Sequence, residues 1–208
     1  FFEQHFVDRD FKDLDLPFAV VATDLETGRE RWLREGSVAD AVRASIALPG
    51  LFTPVPYEGG FLVDGGLVDP VPVSLCRALG ADVVIAVDLG SDVVGSALRL
   101  PAAAEESETG WTHRILARLG MAQNENEAAR LPSLVSVLAT SIHIMQVRIA
   151  RSRLAGEPAD VLVAPRLAQL GLMDYHRGVE AIAEGRTAMR RMLPALEAAL
   201  GLGGGTVA

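Results

Sequence analysis

Short runs of consecutive apolar residues alternate along this chain with longer amphipathic stretches, the pattern of buried strands separated by helices. Residues 17–23 (PFAVVAT) form a Val-rich apolar run closed by Asp24, which predicts a buried strand. Glu26-Thr27-Gly28 supplies a turn, and the alternation over residues 29–34 predicts a returning second strand. Ser37 stands where a helix N-cap is expected, with the helix running to about Ala47 and stopped by Pro49-Gly50. A loop containing Pro54, Pro56 and Gly59-Gly60 leads to a short strand at Phe61-Leu62-Val63, which ends at Asp64-Gly65-Gly66.

Asp69-Pro70-Val71-Pro72 carries the signals of a helix first turn, and Gly80 marks the end of that helix. Residues 81–87 (ADVVIAV) are the clearest strand, apolar on both faces and therefore expected to be central and parallel. Residues 61–87 thus read as a strand–helix–strand crossover. Residues 90–130 break the pattern with Ala-rich and acidic stretches, and are expected to be a mobile, lid-like insertion. A long amphipathic helix follows over residues 133–154, too polar to span a membrane because His143, Gln146 and Arg148 lie within it. Residues 159–164 predict a last strand, and Asp174 is expected to cap a C-terminal helix that Pro194 kinks or splits. Residues 201–208 read as a flexible tail. The whole is expected to be one α/β domain.

Composition supports that class. Half of the 208 residues are hydrophobic, 22% are charged and only 5% are aromatic, with Ala, Val, Leu and Gly dominant. The net charge of −8 argues against nucleic acid as a partner, since that surface must be basic. The one cysteine, Cys76, permits no internal disulfide and is expected to be a small buried side chain. No apolar stretch is long enough for a transmembrane helix and no secretory signal is read, so a cytoplasmic location is expected, with room for transient contact with a membrane. The chain opens with Phe1-Phe2 rather than Met, which raises the expectation of further sequence upstream.

Candidate chemistry narrows by what is absent. The sequence has no G-x-S-x-G elbow, no Walker A loop, no G-x-G-x-x-G after a strand and no H-E-x-x-H. His5, His113, His143 and His176 are scattered without metal-ligand spacing, so neither a metal nor an organic cofactor is expected. Three aspartates, Asp24, Asp64 and Asp88, sit just past the ends of predicted strands, where α/β sheets place their sites. Position alone leaves all three open, because aspartate is also a common turn former. Asp64 stands out because Gly65 and Gly66 follow it; they clear side chains from beside the carboxylate and would permit positive φ. An Asp-Gly hairpin turn is the competing reading. Ser45, in RASIALPG, lacks the glycines that a strained nucleophile turn needs and reads as a helix-face serine.

The runs VATDLETG (21–28), ASIALPGLFTPV (44–55) and GGFLVDGGLVDPVPVSLCRALGADVVIAVDL (59–89) resemble the second half of bacterial patatin-like phospholipases. ADVLVAPRL and DYHRGVEAIAEGRTA resemble that family's final strand and helix. The resemblance covers most of residues 17–190, least of all residues 90–130. It implies a three-layer α/β/α fold with a mostly parallel sheet, here incomplete, residues 1–208 being the C-terminal part of a single domain. It also implies a serine hydrolase of lipid or other acyl esters using a Ser–Asp dyad, with Asp64 of the D-G-G motif as the base and Gly65 and Gly66 supporting it. The serine and the glycine-rich oxyanion loop would lie on an N-terminal segment absent from this sequence, so the fragment alone is expected to be inactive. A catalytically inactive patatin-like binding or regulatory module is the alternative, as is a small-molecule-binding doubly wound domain using Asp24 and Asp88. Oligomeric state is not legible.

Overall fold

A computed structural model describes residues 9–90, 134–170 and 174–202. The expected insertion and most of the tail lie outside the described residues.

The hairpin at the start forms as the alternation predicts. Strand β1 (Val20–Asp24) turns into β2 (Glu30–Leu33), paired antiparallel with Val20 opposite Leu33. Asp24 builds the turn itself: its carboxylate accepts the backbone N–H groups of Glu26 and Thr27, while Gly28 takes a left-handed conformation. Ser37 caps helix α1 (Val38–Ser45), its hydroxyl accepting the Asp40 N–H.

The expected loop after Pro49 contains a strand that composition hid. Strand β3 (Val55–Tyr57) folds back onto β4 (Gly60–Asp64) through Glu58 and Gly59, both at positive φ, the geometry of a tight two-residue hairpin. Pro56 is tolerated because β3 pairs on one side only among the described residues. β4 pairs in turn with β1, giving a four-stranded antiparallel sheet in the order β2-β1-β4-β3. Helix α1 packs on one face through Ala41 and Ala44, which meet Ala22, Leu33, Val55 and Leu62. Small alanines let the helix lie close to the sheet.

Helix α2 (Val73–Ala78) ends before Gly80, whose φ of +94° makes it the expected terminator. Strand β5 (Ile85–Val87) then pairs parallel with β6 (Val161–Val163) in a separate two-stranded sheet. The long helix α3 (Leu134–Gly156) packs through Ala150 against Val84 and Ala86. The C-terminal helix α4 (Gly178–Ala199) packs through Ala188 against Val161 and Val163, which lie on the opposite face of the parallel register from Ala86. Helices therefore flank this sheet on both sides, the layering of an α/β/α domain.

Several expectations need correcting. The sheet is not mostly parallel among the described residues: three of the four strand pairings are antiparallel, and short turns join the strands in two of them, β1–β2 and β3–β4. β4 and β5 sit in different sheets, so residues 61–87 are not a crossover within one sheet. Ile85 and Val87 are not enclosed on both faces but about half exposed. Cys76 is exposed, and the buried residues of α2 are Val73 and Leu75. Asp174 does not cap α4; it opens a 3-10 turn (Tyr175–Arg177), and Arg177 occupies the N-cap position. Pro194 lies inside α4 without ending it.

Asp69 differs most from its expected helix-start role. It is buried, and its carboxylate faces Arg153 of α3 at 3.8 Å. Arg153 also pairs with Glu30 of β2, so one guanidinium fastens α3 to both the first sheet and the chain leaving β4. Burial raises the Asp69 pKa, and Arg153 opposes the shift. Removing one partner of a buried pair strands the other charge. Arg153→Met should therefore lower unfolding free energy by about 3 kcal/mol at neutral pH. The loss should shrink as acid protonates Asp69, and Asp69→Asn in the same chain should recover part of it. Urea titrations across pH check this; a loss independent of pH would mean that only the Arg153 packing had mattered.

Candidate active site

β4 delivers Asp64 to the site. Its last residue sits opposite Ala22 in the register, and the Thr23 hydroxyl donates to the Asp64 carbonyl at 2.7 Å. The chain then turns sharply through a 3-10 element (Gly65–Leu67). The Asp64 carboxylate caps that turn, its Oδ1 accepting the Gly66 N–H at 2.6 Å. Burial raises the Asp64 pKa, and the Gly66 donor offsets part of the rise.

Both following glycines are needed, for a different reason from the one the sequence suggests. Neither takes positive φ. A Cβ at Gly65 would overlap the backbone carbonyl of Val21, so this position is set by close approach of two main chains. A Cβ at Gly66 would stand 2.6 Å from the Gln146 Nε2 and 2.8 Å from the Asp64 Oδ1. The obstacles there are side chains.

The three strand-end aspartates separate. Asp24 is spent on its turn and on Arg31, and its pKa is lowered, first by the Thr27 N–H. A carboxylate stabilised in its ionised form by these donors is a poor proton acceptor. Asp88 repeats the Asp64 arrangement: it is buried, and its Oδ1 accepts the N–H of Gly90, two residues on. Helix α3 lies over both corners. Gln146 meets Gly66, while one turn earlier His143 approaches Gly90, with Val147 beside it. The His143 Nε2 is buried without a hydrogen-bond partner; burial lowers its pKa, and Asp88 opposes this. Sequence reading missed Gln146 and Arg153. Their spacing from His143 along one face of α3 was legible, but nothing local said that this face lies on two aspartate corners.

Ser45 is the last residue of α1. A shallow cleft lined by Phe11, Phe18, Arg34 and Leu79, among others, includes none of the three aspartates. Among the described residues no cluster of three or more His, Cys, Asp or Glu could hold a metal ion.

Residues 1–77 match the family model described as patatin-like phospholipase. An uncharacterized NTE family protein of Mycobacterium tuberculosis is 31% identical, the match covering 89% of this chain and 65% of that protein. Patatin-like phospholipase domain-containing protein 7 of Mus musculus is 41% identical over 88 residues, covering 41% of this chain and 6% of its own length. Protein 6 of the same series from Homo sapiens is 40% identical over an equal span. The chain belongs to the patatin-like phospholipase family. It spans about two thirds of the length of its mycobacterial relatives. The family's α/β class agrees with the mixed sheets and flanking helices, which form part of an α/β/α domain.

The two glycines of this patatin-like chain should respond differently to the same substitution. Gly65→Ala should cost about 3 kcal/mol, the upper range for overpacking, because backbone must move. Gly66→Ala should cost less, because the Gln146 side chain can swing away. Thermal melts of the two variants check the order; equal losses would contradict it.

Proposed function

We propose that this chain carries the base of a serine hydrolase acting on lipid or related acyl esters, with Asp64 as that base. The observation that carries the reading is the half-buried Asp64 corner: partial burial raises the pKa of a carboxylate that accepts the Gly66 backbone N–H. A carboxylate must be made more basic than in water before it can accept a serine proton. In the reaction the serine oxygen attacks the ester carbonyl while its proton passes to Asp64. Asp64 returns that proton to the departing alcohol as the acyl-enzyme forms. Water then gives a proton to Asp64 and its oxygen to the acyl carbon, and the serine recovers its proton as the acid leaves.

The serine and its oxyanion donors would come from a segment outside residues 1–208. β5 offers a place for such a segment. Among the described residues it pairs with β6 alone. Ile85 and Val87 share a face with Val161 and Val163, but α4 buries only the β6 pair, leaving Ile85 44% and Val87 51% exposed. A strand laid along β5 would satisfy that edge and cover this apolar row. No helix among the described residues is long and apolar enough to cross a membrane.

Residues 1–208 alone should then leave p-nitrophenyl esters unhydrolysed above background, whereas a longer form carrying a G-x-S-x-G segment should turn them over. Serine-directed turnover in the short chain, with covalent labelling by a fluorophosphonate, would overturn this division of the site.

In the longer form, Asp64→Asn should lower kcat about 10²–10⁴-fold, the usual contribution of a positioned base. Folding should not suffer. Because the pKa is raised in the folded chain, the stability linked to Asp64 is fully present only below the unfolded carboxylate range, where the group is protonated, and is lost as pH rises through the folded value and the buried carboxylate ionises. Asparagine removes that cost, so Tm at neutral pH should hold or rise. Asp24→Asn is the control and should keep turnover. Near-full activity in Asp64→Asn would sink the assignment.

A further inference from the structure

Residues 44–57, which run from the end of α1 into β3, contain no Asp, Glu, Lys, Arg or His. Most of this uncharged stretch is not buried. Ile46 and Leu51 are exposed, Phe52 is 54% exposed, and Pro49, Pro54 and Pro56 are exposed with them. Single exposed apolar side chains are ordinary, but several gathered on one charge-free turn mark an interaction surface. The turn is also built to display them. The Leu48 carbonyl accepts the N–H groups of both Leu51 and Phe52, at 3.1 and 3.0 Å, and Gly50 takes positive φ to let the chain close. Few main-chain donors remain for water. The N–H groups of Ile46, Ala47 and Leu48 donate to carbonyls within the same segment or α1, and the three prolines have none to offer.

This turn is fastened to the candidate site. The Asp64 N–H donates to the Ala47 carbonyl at 3.0 Å, so the chain between Ile46 and Leu48 lies against the main chain of the proposed base. Ala47 and Val55, on either side of the turn, are buried in the core between α1 and the first sheet. We infer that residues 46–52 seat this chain on a neutral phospholipid surface, with Leu51 and Phe52 entering the acyl region beside the Asp64 corner. An apolar turn whose own main chain is already paired enters that region without leaving bare N–H groups behind. The significance for catalysis rests on the reading of Asp64 as the base for lipid esters; docking itself does not need the base.

Charge and polarity select this occupant over others. The chain carries a net charge of −8 and the stretch has no Lys or Arg, so anionic headgroups would gain nothing there. Arg43, just before it, is paired with Asp40 on its own helix. A protein partner would need hydrogen-bonding groups around the apolar centre. Residues 44–57 supply only the side chains of Ser45, Thr53 and Tyr57, whereas the acyl region of a lipid surface asks for none.

The test needs no serine and no turnover. Residues 1–208 are floated with phosphatidylcholine vesicles, and thermal melts report whether each variant is folded. The wild-type chain should float. Phe52→Ser should weaken partitioning about tenfold, the worth of a half-exposed phenyl ring withdrawn from water. Leu51→Ser should weaken it in the same direction, and it provides the comparison if Phe52→Ser does not fold. Val179→Ser is the control: it removes an apolar side chain that is 80% exposed, on α4 beside the other sheet, and should float like wild type. Phosphatidylserine in the vesicles should not raise binding. Asp64→Asn should float unchanged, so docking and the role of Asp64 in kcat can fail separately. A folded wild-type chain that stays off the vesicles would overturn the proposal, as would equal flotation of the folded turn variants or an equal loss in Val179→Ser. Self-association that Phe52→Ser abolishes, with no vesicle binding, would make the turn a contact between copies and also overturn it.

Discussion

The site depends on a close approach between two stretches of main chain. Gly65 lies against the Val21 carbonyl, leaving no room for even a methyl group. That contact holds the strand-end turn down onto β1, and the turn in turn aims Asp64. Sheet pairing places the residue, since Asp64 stands opposite Ala22, and the Thr23 hydroxyl holds its carbonyl. The carboxylate is left with little freedom, and the entropy of ordering it is met by folding rather than at the moment of reaction. Partial burial makes this carboxylate more basic than one in water, which is the property a proton acceptor needs.

Helix α3 turns that corner into part of a larger site. Along one face it presents His143 to the Asp88 corner, Gln146 to the Asp64 corner and Arg153 to Asp69 and Glu30. The last of these joins elements from both sheets, so the helix works as a strut as well as a wall. Its polar residues are what made it unsuitable as a membrane span, and several of them are now accounted for by contacts inside the protein. The two aspartate corners share a local form, an aspartate capping the N–H two residues on, yet differ in what α3 sets over them. An amide faces one and an imidazole the other.

Part of the apolar surface is left uncovered among the described residues. α4 covers β6 and leaves the same face of β5 half open, and Leu89 just beyond is also exposed. Isolated exposed hydrophobic side chains are ordinary, but a row of them beside an open strand edge is the surface that sheet proteins usually cover.

Local chemistry was legible in the sequence wherever the cause lay within a few residues. Ser37 as a cap, Gly80 as a terminator, the hairpin at Asp24 and the special standing of Asp64-Gly65-Gly66 all follow from backbone preferences that act over one turn or one strand. The long helix was legible too, because 3.6-residue periodicity accumulates over many residues. Other features were decided by contacts between distant parts. β3 looked like a loop because Pro56 and the glycines mask a strand whose other evidence is its pairing with β4. Asp69 resembled a helix cap until Arg153, 84 positions later, was brought to it. The glycines at 65 and 66 could be recognised as necessary from sequence, but the reason could not: their φ values are ordinary, and what excludes a side chain is Val21 in one case and Gln146 in the other. Sequence patterning fixes which backbone conformations are cheap, whereas burial, close approach and the partner of each charge exist only once the chain has folded back on itself.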